Sequence, residues 1–269
     1  MDYFHAIVLA VVQGIAEFLP ISSSGHLVIA GALMNQLAGT AIPKESATMG
    51  IALHFGTLMS ILLVYRKELV GLLSDFRMMK LIVIATIPVG VIGLLLKDYV
   101  DEAFQRPIIA GFALLITAGF LLAGRKLQKT ESDKSVEVEL SIGSAIAIGL
   151  FQSIAIVPGI SRSGSTIAAG MACGMKREDA AKFSFLIAIP AIGGASVLEL
   201  KDFVTGEAQF SGNLMPMILG MVISFAVGVF ALRWLIKMVV ADRLHRFAFY
   251  CLIVGVGTII WQLSPAAGL

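Results

Sequence analysis

Gln13-Gly-Ile-Ala-Glu-Phe-Leu-Pro-Ile-Ser-Ser-Ser-Gly-His-Leu-Val-Ile-Ala-Gly31 and Gln152-Ser-Ile-Ala-Ile-Val-Pro-Gly-Ile-Ser-Arg-Ser-Gly-Ser-Thr-Ile-Ala-Ala-Gly170 align without a gap. Nine of the nineteen positions are identical at a constant offset of 139, well above what two apolar stretches share by chance. The chain is therefore a duplication. Each copy starts and ends apolar and is interrupted midway, by Pro20 to His26 in the first and by Pro158 to Thr166 in the second. No helix runs through either interruption, because proline removes a donor while serine and glycine favour turns.

Around these two stretches the chain is apolar almost throughout. Hydrophobic residues make up 58% of its 269 positions and charged residues 14%, against roughly 25% charged in soluble domains. With mean hydropathy at +0.91, no segment is long and polar enough to make a soluble domain. A spanning helix needs about 20 mostly apolar residues. Six segments qualify, at 49–65, 79–96, 107–124, 183–198, 214–236 and 246–263. The two broken regions, 4–34 and 141–175, are expected to be re-entrant helix–loop–helix hairpins, since freed backbone at membrane depth survives only against protein or trapped water. The predicted fold is an all-α polytopic membrane protein, six transmembrane helices plus two re-entrant hairpins. Its parts are a first repeat at 1–124, a cytoplasmic linker at 125–140 and a second repeat at 141–269.

The distribution of charge sets the orientation. Loops 66–80, 125–140, 176–182 and 233–246 hold 15 of the 20 Lys and Arg residues, whereas the opposite side holds Lys44, Lys97, Arg106 and Lys201. By the positive-inside rule the rich side is cytoplasmic and both termini face out. Three spans separate the hairpins, so the copies enter from opposite faces. This is an inverted-topology repeat, whose special site is expected where the broken helices meet. The acidic start, Met1-Asp2, lacks the basic region of a signal peptide. Cys173 and Cys251 read as small packing residues, and a net charge of +2 gives no reason to expect nucleic acid.

Ionisable groups at bilayer depth cost roughly 2.5–3.5 kcal/mol each and need a partner. Glu17 and Arg162 are such groups. Gln13 lies four residues before Glu17, on the same helix face. Ser22, Ser23, Ser24 and Gly25 are expected to form the first turn, with His26 opening the next half-helix. The second break supplies Ser161, Arg162, Ser163, Ser165 and Thr166. Arginine and helix N-termini favour anions, phosphate above all, and successive turn amides can form a nest around phosphoryl oxygens. Glu17 adds a hard oxygen ligand for Mg²⁺ or Ca²⁺, or a base. Carboxylate, imidazole, hydroxyls and guanidinium together suit phosphoryl hydrolysis. A bare Glu17–Arg162 ion pair would leave the Ser/His cluster unexplained, and capping alone would not require it twice. His54 reads as a packing histidine, His5 and His245 as interfacial, and Arg125 to Glu139 as a solvated linker. Neither a Gly-Lys-Ser/Thr phosphate loop nor a His-Glu-x-x-His motif is present.

At these residues the sequence resembles the undecaprenyl-diphosphate phosphatases of the bacitracin-resistance type. Their Glu/Gln-x-x-x-Glu motif appears as Gln13 to Glu17, followed by Phe18 to His26. Their Pro-Gly-x-Ser-Arg-Ser-x-x-Thr motif appears as Pro158 to Thr166. The one variation is Gln at position 13, which carries no charge. The resemblance covers essentially the whole chain. It implies a multi-pass enzyme of the bacterial inner membrane, with its site open to the outer face. Such an enzyme removes the terminal phosphate from a C55 polyprenyl diphosphate, recycling the carrier for peptidoglycan synthesis and cell-wall biogenesis, and supports cell shape and resistance to bacitracin. A divalent cation, Mg²⁺ or Ca²⁺ at Glu17, is implied as cofactor. The expected partners are the lipid substrate, membrane lipids and, at most, a second copy as a homodimer. Within that frame Glu17, Ser23, His26 and Arg162 are the expected catalytic residues. Ser23 is the candidate nucleophile with His26 as its base, and His26 attacking directly is the runner-up. Gln13, Ser22, Ser24, Ser161, Ser163 and Thr166 are the expected substrate contacts. The competing class is an inverted-repeat transporter or flippase for an anionic or polyprenyl-phosphate substrate. A Ser23–His26 pair beside Glu17 discriminates against it, because binding alone needs no nucleophile and base.

Overall fold

The computed structural model describes residues 3–38, 47–131, 139–204 and 214–264. Met1, Lys44, Lys134 and the C-terminal Leu269 lie outside the described residues. Among those described there are twelve helices and no strand: α1 (Tyr3–Ala16), α2 (Ser23–Ala38), α3 (Ala47–Val64), α4 (Arg66–Leu72), α5 (Phe76–Leu95), α6 (Lys97–Ala103), α7 (Pro107–Glu131), α8 (Ile142–Ile154), α9 (Arg162–Ala172), α10 (Arg177–Val204), α11 (Leu214–Val240) and α12 (His245–Leu263).

Five helices, α5, α7, α10, α11 and α12, are long and apolar enough to cross a membrane, and α3 with α4 qualifies as a sixth, bent by 75°. All six expected spans are thus helical. Their outer faces confirm the solvent for which they are built. Val83, Ile87 and Val91 recur every four residues along α5 and are 51–59% exposed, while Ile253 and Ile260 on α12 are 74% and 64% exposed. Such apolar stripes suit a lipid environment. The inward faces pack Phe18, Tyr65, Leu114, Phe185, Leu232 and Leu235 into one core cluster.

Three expectations about boundaries are corrected. Loop 66–80 holds the short helix α4, because the chain turns sharply at Tyr65 and resumes helical geometry at Arg66. The linker 125–140 begins as helix: α7 continues through Arg125-Lys-Leu-Gln-Lys-Thr-Glu131, all but Thr good helix formers. Residues 132–138 of that linker lie outside the described residues. His26 does not open the second half-helix. α2 starts at Ser23, so the first break runs from Glu17 to Ser22 and the serines belong to the helix's first turn.

Helix starts recur along the chain at a near-constant offset. Tyr3 and Ile142 start helices 139 residues apart, as do Ser23 and Arg162. Phe76 and Leu214, and Pro107 and His245, are starts 138 apart. The halves also pack reciprocally: α1 lies on α11 while its counterpart α8 lies on α5, and α7 packs along its counterpart α12. α1, α2, α8 and α9 have 14, 16, 13 and 11 residues. At about 1.5 Å per residue, none reaches the roughly 30 Å of a hydrocarbon core. Cys173 and Cys251 are both free thiols.

Candidate active site

Both second half-helices begin with the same device. Ser22 Oγ accepts from the Gly25 N–H at 3.2 Å and Ser161 Oγ accepts from the Gly164 N–H at 3.1 Å, each hydroxyl capping an otherwise unpaired donor. These residues are counterparts at the 139 offset. Ser22 does more, since its Oγ also accepts from the Gly159 N–H at 3.1 Å, tying the first break to the second. This second anchor holds Ser22 at φ +70°, a left-handed conformation that serine rarely adopts.

The two breaks touch backbone to backbone. A Cβ on Gly25 would lie 2.7 Å from Gly159 Cα and 2.8 Å from its nitrogen. Gly159 itself has φ +102°, and a Cβ there would meet the Ala110 carbonyl oxygen. Thr117 of α7 completes the clamp, its hydroxyl donating to Gly159 O and accepting from the Ser161 N–H, both at 2.9 Å. Gly25→Ala should therefore force rigid backbone apart at a cost of about 1–3 kcal/mol. The expected result is a clearly lower thermal midpoint for the detergent-purified protein. Gly31→Ala, whose added methyl meets nothing within 4 Å, should leave it unchanged.

This contact brings the charged residues together across 145 positions. Arg162 Nη2 donates to Glu17 Oε1 at 2.9 Å, with side chains only 15% and 7% exposed. The other carboxylate oxygen, Oε2, accepts from Ser23 Oγ at 2.7 Å and from Gln13 Nε2 at 3.1 Å. Arg162 Nη1 reaches Ser184 O at 3.4 Å, and its guanidinium carbon lies 5.9 Å from the Phe185 ring centroid. A guanidinium has five N–H donors, so Arg162 keeps donors available for an anion.

Of the expected catalytic residues, Glu17, Ser23 and Arg162 form one connected cluster, and His26 stands at its rim. The expected Ser23–His26 pair is not formed. His26 Nδ1 bonds back to Ser22 O at 2.8 Å, which turns Nε2 away from Ser23 and toward Tyr250 Oη, also at 2.8 Å. The acceptor facing the Ser23 hydroxyl is the Glu17 carboxylate. Among the expected substrate contacts, Ser22 and Ser24 share a 3.2 Å hydroxyl contact. Ser161, Ser163 and Thr166 are almost wholly buried and turned into the protein: Ser163 toward Ser161 and Leu19 O, Thr166 toward Arg162 O and Ser184. In this arrangement their hydroxyls tie the second break to Leu19, Arg162 and Ser184. His54 donates to Gly50 O as a packing histidine would, yet it lies within electrostatic reach of Glu17.

Sequence reading missed Thr117, Ser184 and Tyr250. Polar residues within spans were the available signal, but none carries a motif. Gln152 is the counterpart of Gln13, and its amide nitrogen is buried without a partner where Ile156 stands in place of Glu17; its Oε1, like that of Gln13, is also unpartnered. Only one copy of the duplication thus retains the carboxylate.

The chain is similar to known proteins over nearly its whole length. The family model described as bacitracin resistance protein BacA matches residues 6–257. An undecaprenyl-diphosphatase of Rhodopirellula baltica is 44% identical over 264 residues, 97% of this chain and 99% of that protein. Proteins of the same name from Desulforapulum autotrophicum and Alkaliphilus metalliredigens are each 38% identical, over 97% and 98% of this chain and 98% and 100% of their own length.

Proposed function

The chain belongs to the bacitracin resistance protein BacA family, and from that membership we propose that it hydrolyses undecaprenyl diphosphate to undecaprenyl phosphate and inorganic phosphate, as its relatives' names state of them. The observation that carries this reading is the Ser23 hydroxyl held 2.7 Å from a Glu17 carboxylate that Arg162 also grips. A carrier would need the guanidinium, but it would have no use for an activated hydroxyl beside it.

In the proposed reaction Arg162 binds the terminal phosphoryl group. Ser23 Oγ forms a bond to its phosphorus while Glu17 takes the hydroxyl proton. The bond between phosphorus and the bridging oxygen breaks, its electron pair leaves with undecaprenyl phosphate, and Ser23 is left phosphorylated. Water then attacks this phosphoserine, losing a proton to His26 Nε2 once the Tyr250 hydroxyl releases that nitrogen; the bond between Ser23 Oγ and phosphorus breaks, Glu17 returns its proton to the serine oxygen, and inorganic phosphate departs. The donors present also fit a divalent cation, which the family resemblance implies. Glu17 and the unpartnered Gln13 Oε1 are hard oxygens, and Mg²⁺ is commonly held by one or two carboxylates plus substrate phosphates. No group of three or more His, Cys, Asp or Glu side chains is present among the described residues, so the substrate would have to complete the set. Such a cation would offset phosphate charge.

The proposed setting is the bacterial inner membrane, with α1–α2 and α8–α9 as re-entrant hairpins of an inverted repeat, 125–140 joining the halves and the site open to the outer face. Their short lengths, the recurring helix starts and the excess of Lys and Arg at one end support it. The reading needs no second copy, since all four reacting side chains come from one chain; a homodimer would be compatible with it. With Cys173 and Cys251 replaced, a cysteine at Lys237 should resist an impermeant thiol reagent in intact cells and one at Asp98 should react. Labelling at position 237 from outside would overturn the orientation.

Phosphate release from a C55 diphosphate by detergent-purified protein tests the activity. Ser23→Ala should abolish both turnover and the phosphoenzyme. His26→Ala should form phosphoserine at a normal rate and then stall. A phosphoenzyme that persists in Ser23→Ala would assign the attack elsewhere.

A further inference from the structure

His54, Thr57 and Ile61 of α3, and Tyr65 just past its end, recur at three- and four-residue spacing and so share one helix face. That face is turned into the protein. Thr57 and Ile61 are fully buried, and Tyr65 stacks on Phe185, the ring that also lies beside the Arg162 guanidinium. The stripe loses its cover at His54, which is only partly buried. An accessible residue on an inward face lines an opening, and in the proposed orientation this end of α3 is the outer one. Within electrostatic reach of His54 is Glu17, the carboxylate at the centre of the site.

A carbonyl can only accept, so His54 Nδ1, 2.9 Å from Gly50 O, carries a proton. In the neutral ring Nε2 is then a lone pair, and no hydrogen bond to it is present among the described residues. His26 makes the same bond back along its own helix, but its Nε2 is filled by Tyr250. Of these two imidazoles, His54 is the one whose second nitrogen is open to a ligand. Charge says which ligand group that is. A diphosphate brings more negative charge than one guanidinium offsets, and α1, α2, α3 and α9 contain a single Lys or Arg, Arg162, which Glu17 already engages. The terminal phosphorus has to lie against Ser23, so the inner phosphoryl group, the one that stays with the lipid, extends from there toward the opening.

We propose that His54 binds this inner phosphoryl group through Nε2, with one proton shared between the ring nitrogen and a phosphoryl oxygen. This rests on the hydrolytic reading above and adds to it a residue outside both family motifs, on a full span rather than on a broken helix. Reactant and product both carry the inner phosphoryl group. The contact therefore strengthens binding in the ground state and the transition state alike and leaves the chemical step to Ser23 and Glu17.

The probe is farnesyl methylenediphosphonate, whose carbon bridge between the phosphorus atoms cannot be hydrolysed, bound to detergent-purified protein. His54→Asn keeps an N–H near the position of Nδ1 and removes Nε2, whereas His54→Gln places an amide near Nε2. The asparagine variant should bind the diphosphonate about ten-fold more weakly, the lower end for one charge-assisted hydrogen bond. It should bind inorganic phosphate as wild type does, and the glutamine variant should recover most of the loss. With the C55 diphosphate, KM of the asparagine variant should rise by the same factor while kcat holds. Phosphorus NMR spectra of the bound diphosphonate locate the contact: His54→Asn should move the inner signal and Arg162→Lys the terminal one. A merely structural histidine would lower the thermal midpoint, weaken both ligands and find no rescue in glutamine. Unchanged affinity for the diphosphonate, equal losses for the two ligands, or movement of the terminal signal in His54→Asn would each overturn the assignment. Wild type that binds the diphosphonate but never hydrolyses the C55 diphosphate would instead sink the hydrolytic reading, while the spectra still decided the contact.

Discussion

Arg162→Lys is expected to lose at least about 100-fold in kcat/KM, although the positive charge is kept. The guanidinium spans three neighbours at once, Glu17 Oε1, Ser184 O and the face of Phe185, and has further donors beyond those bonds. A lysine ammonium is a compact point charge, able to satisfy Glu17 or the phosphate but not both in a planar fork. Each charge-assisted hydrogen bond lost is worth about 1.5–3 kcal/mol, or roughly 10- to 150-fold. Arg162→Ala should do worse, because it strands a buried carboxylate; removing one partner of a buried pair typically costs about 3–5 kcal/mol. The informative comparison is therefore kcat/KM of the lysine variant at matched thermal stability. A lysine variant with near-normal kcat/KM would remove Arg162 from the phosphate-binding role.

Glu17→Gln should be the other severe loss, roughly 10²- to 10⁴-fold, the usual contribution of a general base. The amide preserves the shape of the carboxylate and one acceptor oxygen, so Ser23 and Arg162 stay near their places, but it cannot take the Ser23 proton. Gln13→Ala is a useful contrast. It removes a single 3.1 Å hydrogen bond to Oε2 and no charge, so a loss of several-fold is expected. If both substitutions cost the same, Glu17 acts as a structural member of the ion pair and another group accepts the proton. Raising Mg²⁺ or Ca²⁺ should recover part of the Glu17→Gln loss if the carboxylate also holds a cation, and none of it if the carboxylate acts only as base.

The two variants probe one object from opposite sides. Glu17 has its two oxygens divided between Arg162 and the Ser23–Gln13 pair, so in the proposed reaction the arginine that would bind substrate would also orient the base. Occupation of the guanidinium by a phosphoryl group would weaken its hold on Oε1 as the carboxylate accepts the serine proton. The Glu17 and Arg162 effects should be strongly non-additive for that reason.

The sequence by itself determined the membrane class, the six spans, the two breaks and their common origin. Each follows from a local rule: an apolar run long enough to cross lipid must be helical there, and a proline followed by a serine-rich, glycine-containing stretch ends one helix and caps the start of another. It also identified Glu17 and Arg162 as residues needing partners, because a charge at membrane depth cannot be left alone. What it could not determine was who meets whom. In lipid, apolar stripes facing neighbours and apolar stripes facing acyl chains look alike, so hydropathy does not choose helix partners; close backbone approach does. Only the tertiary structure seats Gly25 on Gly159 and hangs Glu17, Ser22 and Ser23 from that contact. It alone turns His26 from Ser23 to Tyr250, because the ring's Nδ1–H found the Ser22 carbonyl first. Residue types and spacing supplied the chemical groups, and the meeting of two broken helices decided which of them act on each other.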